Sequence, residues 1–240
     1  ELSKVLRLGE REDQMKIFAT ALVLVLLTGV AAGQWTATTP MNVARHGLDA
    51  VEHNNNIYVV GGWGGDTTLE RFAGGAWSTM ASLPVGQAGV CVALMNDKIY
   101  SFGDYGWGTT TQIYDIPTNS WSAGPPLPVG MYWATAEAVG SNIYVIGGYS
   151  MAGDLDTVYI LNTLTNTWSM GASCPVTLMT VTSAVLGGHI YAFAPNGDYR
   201  YDPANDSWMA IATRPFQTGG ATAEVADGII YVMGGNYGYI

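Results

Sequence analysis

Asn56-Ile57-Tyr58-Val59-Val60-Gly61-Gly62 returns along the chain as Ile99-Tyr100-Ser101-Phe102-Gly103-Asp104, Ile143-Tyr144-Val145-Ile146-Gly147-Gly148, Ile190-Tyr191-Ala192-Phe193-Ala194-Pro195 and Ile230-Tyr231-Val232-Met233-Gly234-Gly235. A tryptophan stands 22 residues before each Ile-Tyr pair, at Trp35, Trp77, Trp121, Trp168 and Trp208, and the pairs recur every 40 to 47 residues. A fixed offset inside a repeat of this length marks stacked supersecondary units, none of which buries its own core alone. Each run is short, β-branched and aromatic, and closes on chain breakers, so it reads as a buried strand. A second apolar run lies upstream, such as Gly89-Val90-Cys91-Val92-Ala93-Leu94 or Ala134-Thr135-Ala136-Glu137-Ala138-Val139. Downstream, two more strands flank a turn, as in Tyr114-Asp115-Ile116-Pro117-Thr118-Asn119-Ser120-Trp121 and Tyr201-Asp202-Pro203-Ala204-Asn205-Asp206-Ser207-Trp208. The unit therefore holds four antiparallel strands. Helical repeats of similar period are excluded, because no stretch after Gln34 sustains a 3.6-residue periodicity free of Gly and Pro.

A Gly-Gly after the second strand, with a Tyr-Asp…Trp hairpin behind it, resembles the kelch repeat, and the resemblance covers residues 34 to 240. The Trp-Asp signature of the other common propeller repeat is absent. Departures are local: Gly103-Asp104 and Ala194-Pro195 replace the glycine pair, while Phe72-Ala73 and Leu161-Asn162 replace Tyr-Asp. The resemblance implies an all-β fold, a kelch-type β-propeller of four-stranded antiparallel blades around a channel, here an incomplete ring. The repeated Trp and Tyr read as core, each Trp buried against a neighbouring blade.

The chain divides into 1–14, 15–33 and 34–240. Met15-Lys16, the apolar run from Ile17 to Leu27 and the small residues to Gly33 read as a secretory signal peptide; as a membrane span the run is short. Residues 1–14 then read as upstream translation, since Arg11-Glu12 could be encoded by a ribosome-binding-like sequence. The expected layout beyond is a closing strand at 34–40 carrying Trp35, four full blades over about 41–215 and a partial fifth over 216–240. After Gly33 only Arg45, Arg71, Lys98, Arg200 and Arg214 oppose 15 acidic residues. Such a surface disfavours nucleic acid and anionic membranes, and no membrane insertion is expected after signal cleavage. Export, whether to the periplasm, cell surface or medium, would permit a disulfide, but Cys91 and Cys174 fall in different blades and are not expected to pair.

Strand order places the loops between second and third strands on one face with the connections between blades. The opposite face has tight polar turns: Asn54-Asn55, Asn96-Asp97, Ser141-Asn142, Gly187-Gly188 and Asp227-Gly228. The first face carries Arg45, Trp63, Tyr105, Trp107, Tyr132, Trp133, Tyr149 and Phe216 among glycines and carboxylates, a platform for a sugar ring or a peptide. The expected function is thus a non-catalytic, exported propeller that binds a carbohydrate or protein partner, with no cofactor and no metal. A copper site like that of galactose oxidase, whose architecture is similar, is not supported: His53 and His189 lie by the polar turns and only His46 is near the aromatic loops. The alternative is a carbohydrate-active enzyme similar to the sialic acid mutarotases, or an envelope structural protein. Glu137 and Glu224 share one inner-strand offset, where other units have Val51, Ala93 and Ala184; a carboxylate there is either satisfied between blades or faces the channel with a raised pKa. Paired-cysteine metal spacing, a phosphate loop and a nucleophile elbow are absent, and Asp154-Leu155-Asp156 is too short for a calcium loop.

Overall fold

The computed structural model describes residues 38–236. The first sheet is β1 (Asp49–His53), β2 (Asn56–Val60), β3 (Leu69–Ala73) and β4 (Ala76–Thr79), in that order and antiparallel. The second is β5 (Cys91–Met95), β6 (Lys98–Phe102), β7 (Thr111–Asp115) and β8 (Ser120–Ala123). A short strand β9 (Met131–Tyr132) leads to the third sheet, β10 (Thr135–Val139) and β11 (Asn142–Ile146), which is completed after the hairpin β12 (Tyr149–Ser150) and β13 (Gly153–Asp154) by β14 (Val158–Asn162) and β15 (Thr167–Gly171). The fourth is β16 (Thr182–Leu186), β17 (His189–Ala194), β18 (Gly197–Asp202) and β19 (Ser207–Ala210), and β20 (Gly219–Ala226) pairs with β21 (Ile229–Asn236). Four blades and a two-stranded fifth sheet are therefore present. Residues 38–40 hold no strand, and the rest of the expected closing strand, with Trp35 and the signal segment, lies outside the described residues.

The first hairpin of each blade closes through two residues. Asn54 and Asn55, Asn96 and Asp97, Gly187 and Gly188, and Asp227 and Gly228 all have positive φ, the backbone that the twist of a two-residue hairpin demands and that Asn, Asp and Gly tolerate best. At the other end of the second strand the glycine pair answers to packing. Gly147 has φ of 66°, and a Cβ there would lie 2.4 Å from the carbonyl oxygen of Leu178 in the next connection. Where the fourth blade has Ala194-Pro195, the loop shrinks to the turn Pro195-Asn196 between Ala194 and its partner Gly197.

Blades pack face to face. Tyr58, Val60 and Leu69 of the first meet Ile99 and Tyr114 of the second; Phe102 meets Ile143, Leu161 and Trp168; Tyr144 and Ile146 meet Ile190, Tyr201 and Trp208; Phe193 meets Ala223. The expectation that each Trp is buried needs correction: Trp77, Trp121, Trp168 and Trp208 are half-buried, and the fully enclosed aromatics among the described residues are Tyr114, Tyr201 and Phe102. The tryptophans act as clips. Their indole N–H groups reach back to the preceding blade, Trp121 to the Ala81 carbonyl at 2.8 Å, Trp168 to Pro125 at 3.1 Å and Trp208 to Ala172 at 2.8 Å. Asn119, at positive φ, accepts both the Tyr114 hydroxyl at 2.8 Å and the Ala81 N–H at 2.9 Å; Asp206 does the same for Tyr201 and Ala172. Cys91 and Cys174 are buried free thiols.

Candidate functional site

The connections between blades and the loops after the second strands meet at one end, and their backbones are paired there. His46 and Trp63 form a β-bridge, which stacks their rings 5.3 Å apart at 21°. Pairing of β9 with β12 sets Tyr132 opposite Tyr149, with ring centroids 5.5 Å apart. The Tyr105 N–H donates to the Ala88 carbonyl at 2.8 Å, and this holds the Tyr105 ring 5.1 Å from Trp63 and 4.9 Å from Tyr132. Trp107 and Trp133 also contact Tyr132, at 6.4 and 4.8 Å. Six of the eight sequence-predicted residues thus form, with His46, one continuous run of rings. Tyr132 is its buried hub, 7% exposed, whereas Tyr105 and Trp107 turn 50% and 40% of their surface outward. Burial, followed by the neighbouring Tyr105 and Tyr149 phenols, raises the Tyr132 pKa, so the hub stays neutral at physiological pH.

Backbone strain gathers at the same place. Gly47, Gly89, Trp133, Thr180 and Gly220 stand four residues before Val51, Ala93, Glu137, Ala184 and Glu224, and all have positive φ. They form a collar above the inner strands: Gly89 N–H donates to Gly47 at 2.8 Å, Trp133 N–H to Gly89 at 2.9 Å and Gly220 N–H to Thr180 at 3.3 Å. Glycine fits this geometry freely, while a left-handed conformation costs a residue with a Cβ about 1–2 kcal/mol. Trp133 bears that cost at φ of 56°, and Trp107 bears it at 54° in its loop.

Two predicted residues do not join the rings. Arg45 has a fully buried side chain paired with the equally buried Glu70, and it donates to the Val59 carbonyl at 3.2 Å. Its charge is spent inside the blade, where Glu70 also accepts the Asn42 N–H at 2.9 Å, so it is unavailable to a ligand. Phe216 stands in the connection entering β20 and is 65% exposed. Gln87, at the same end, is fully buried and bonded to Gly103, Thr110, Ser101 and Gln112.

Behind the collar, β1, β5, β10, β16 and β20 line a polar cavity of about 370 Å³. Glu137 and Glu224 both line it, as does Asp49. Ser183 donates to Glu137 at 2.7 Å and lies 2.5 Å from the Thr135 hydroxyl. Burial lifts the Glu137 pKa to about 7, against the Ser183 hydrogen bond and with help from the Asp49 and Glu224 charges. Burial likewise lifts Asp49 to about 6, although its carboxylate accepts the Val92 and Ala50 N–H groups, and it raises Glu224. Asp49 was not singled out from the sequence, yet it is the one carboxylate at an offset held elsewhere by Cys91, Thr135, Thr182 and Thr222, a signal visible once the units are aligned.

The kelch motif matches residues 134–175, the third blade. Human Kelch-like protein 38 is 30% identical over 136 residues, 52% of this chain and 23% of that protein. Mouse Kelch-like protein 23 is 35% identical over 113 residues, 42% of this chain and 20% of the relative. The chain thus spans about a quarter or less of the length of these relatives. The solved structure of YjhT superposes with a TM-score of 0.73 at 17% identity, covering 82% of this chain and 75% of that one. Repeat, blade topology and motif agree: this chain carries a kelch repeat and has the kelch-type β-propeller fold.

Proposed function

We propose that this propeller is an exported, non-catalytic binding protein that captures a carbohydrate or protein partner on its aromatic face. The supporting observation is the run of rings from His46 to Tyr149, in which Tyr105 and Trp107 leave about half their surface exposed beside the buried Tyr132. Exposed aromatics on loops braced by a rigid scaffold are suited to recognition, because little further ordering is needed on binding. Export rests on the apolar segment from Ile17 to Leu27 and is tested by N-terminal sequencing of secreted protein, which should begin near Gln34. The binding face is tested with glycan and peptide arrays: Trp107→Ala should weaken capture with little change in melting temperature, and Trp121→Ala should lower the melting temperature first. Equal destabilisation by both would make the loop rings core and end this reading.

A second reading follows from Glu137. A carboxyl group that exchanges its proton near pH 7 beside a polar cavity suits acid–base work on a small sugar, such as mutarotation. Anomer exchange catalysed by the chain and lost in Glu137→Gln would favour it.

A further inference from the structure

We propose that the ligand of the aromatic face is an uncharged sugar ring, stacked on Trp107 and Tyr105 and hydrogen-bonded by the carboxylates around them; this rests on the reading of the face as a binding surface. Three observations select this class. Charge is the first. Both arginines of the connections are already committed to carboxylates, Arg45 to buried Glu70 and Arg214 to Asp198, with Arg214 also 5.4 Å from the Phe193 ring. The remaining charges of these loops are carboxylates, the exposed Asp66 and Asp154 and the half-buried Asp104 and Asp156. Carboxylates accept hydrogen bonds from sugar hydroxyls and repel acidic sugars and phosphates.

The second is backbone. An extended peptide gains affinity by pairing its main chain with a free edge. Here the N–H groups of Trp63, Tyr105, Gly106, Trp107 and Trp133 are all bonded within the fold, to His46, Ala88, Asp104, Asp104 and Gly89 respectively. What faces outward is ring surface, which stacks on the C–H face of a pyranose without needing a main-chain partner.

The third is strain. Glycine occupies the Trp133 position in three other units, so the collar itself does not require an indole. A bulky residue held in a costly conformation beside an exposed Trp with the same left-handed backbone points to rings retained for what they contact.

The test is titration of the purified chain with neutral oligosaccharides (cellohexaose, mannohexaose, chitohexaose) and with acidic oligosaccharides (hexagalacturonate, sialylated lactose), read through the indole N–H signals in NMR. At least one neutral oligosaccharide should shift Trp63, Trp107 and Trp133 and spare Trp77, Trp121, Trp168 and Trp208. Affinity should fall about tenfold or more in Trp107→Ala, in keeping with the loss of one stacking ring. Trp133→Gly should also weaken binding; because it restores the residue of the other units, the melting temperature should hold or rise, so a folding defect cannot imitate the result. Acidic oligosaccharides binding as well as neutral ones, or no shift with any neutral one, would overturn the inference. Peptides that bind with the same Trp107 dependence while sugars do not would overturn it and leave the binding-face reading standing. Ligand binding indifferent to both tryptophans would remove both.

Discussion

Ile57, Ile143 and Ile190 occupy one position in three blades, but Ile143 and Ile190 are completely enclosed whereas Ile57 is 42% exposed. The reason is a neighbour. Ile143 packs under the second blade and Ile190 under the third, while among the described residues no blade precedes the first in the chain to enclose Ile57. Truncation to alanine turns this difference into a measurement. At Ile143 the change removes fully buried methyl groups and leaves a cavity between two sheets, a cost of about 3–4 kcal/mol. At Ile57 roughly half the surface is already wet and no cavity forms, so about 1 kcal/mol should be lost. For a domain of this size each kcal/mol lowers the melting temperature by about 2–4 °C, giving drops of about 10 °C against about 3 °C. Urea unfolding followed by tryptophan fluorescence would report both through the midpoint. Equal losses at the two positions would refute the reasoning and mean that something covers the first blade's face, whether a closed ring or a second chain.

Trp121→Phe keeps a ring against Tyr114 but removes the indole N–H bonded to Ala81, so it should cost about 2 kcal/mol, since the abandoned carbonyl sits at a blade boundary; a cost equal to that of a surface substitution in thermal unfolding would discount the clip. The inner cavity sets a pH dependence. Glu137 and Asp49 have folded pKa values near 7 and 6, above their ordinary 4.5 and 3.8. The folded state therefore holds protons that the unfolded chain has released, and stability should fall as pH rises from about 4.5 through 7. Glu137→Gln should flatten that slope in chemical denaturation at stepped pH, and an unchanged slope would place the titration elsewhere. On the acid side Asp115, Asp202 and Asp206, lowered by hydrogen bonds from Lys98, Asn205 and the Ala172 N–H respectively, lose their contribution as pH falls below their ordinary 3.8, which puts the optimum at about pH 4.

The four-stranded unit, its strand order and the two ends of each blade could be read from spacing, because Trp, Tyr and Gly-Gly at fixed offsets mark the same strands in each repeat. The convergence of Trp63, Tyr105, Trp107, Tyr132, Trp133 and Tyr149 was legible for the same reason: strand order dictates which loops share an end. Arg45 misled because a lone arginine before a strand looks like a surface charge, and its partner Glu70 is 25 residues away. The half-burial of the tryptophans was hidden as well. A repeated Trp signals a repeated contact, but a ring on the outermost strand covers its neighbour on one side only.

The division of labour between the two kinds of aromatic explains how strain can survive at the face. Tyr114, Asn119 and Trp121, like Tyr201, Asp206 and Trp208, lock successive blades together at the outer strands, whereas the collar stands above the inner ones. Those bonds join the blades at outer strands that carry none of the face's rings. The collar can then accept Trp133 where glycine would be cheaper, because its N–H is held by Gly89 and its ring by Tyr132. A left-handed tryptophan fixed in this way has few rotamers left to lose when a ligand arrives, so the conformational cost is met during folding and not during binding. By this argument the strain at Trp133 is preorganisation: relieving it should stabilise the fold and weaken the site together, a coupling that an idle surface aromatic would not show.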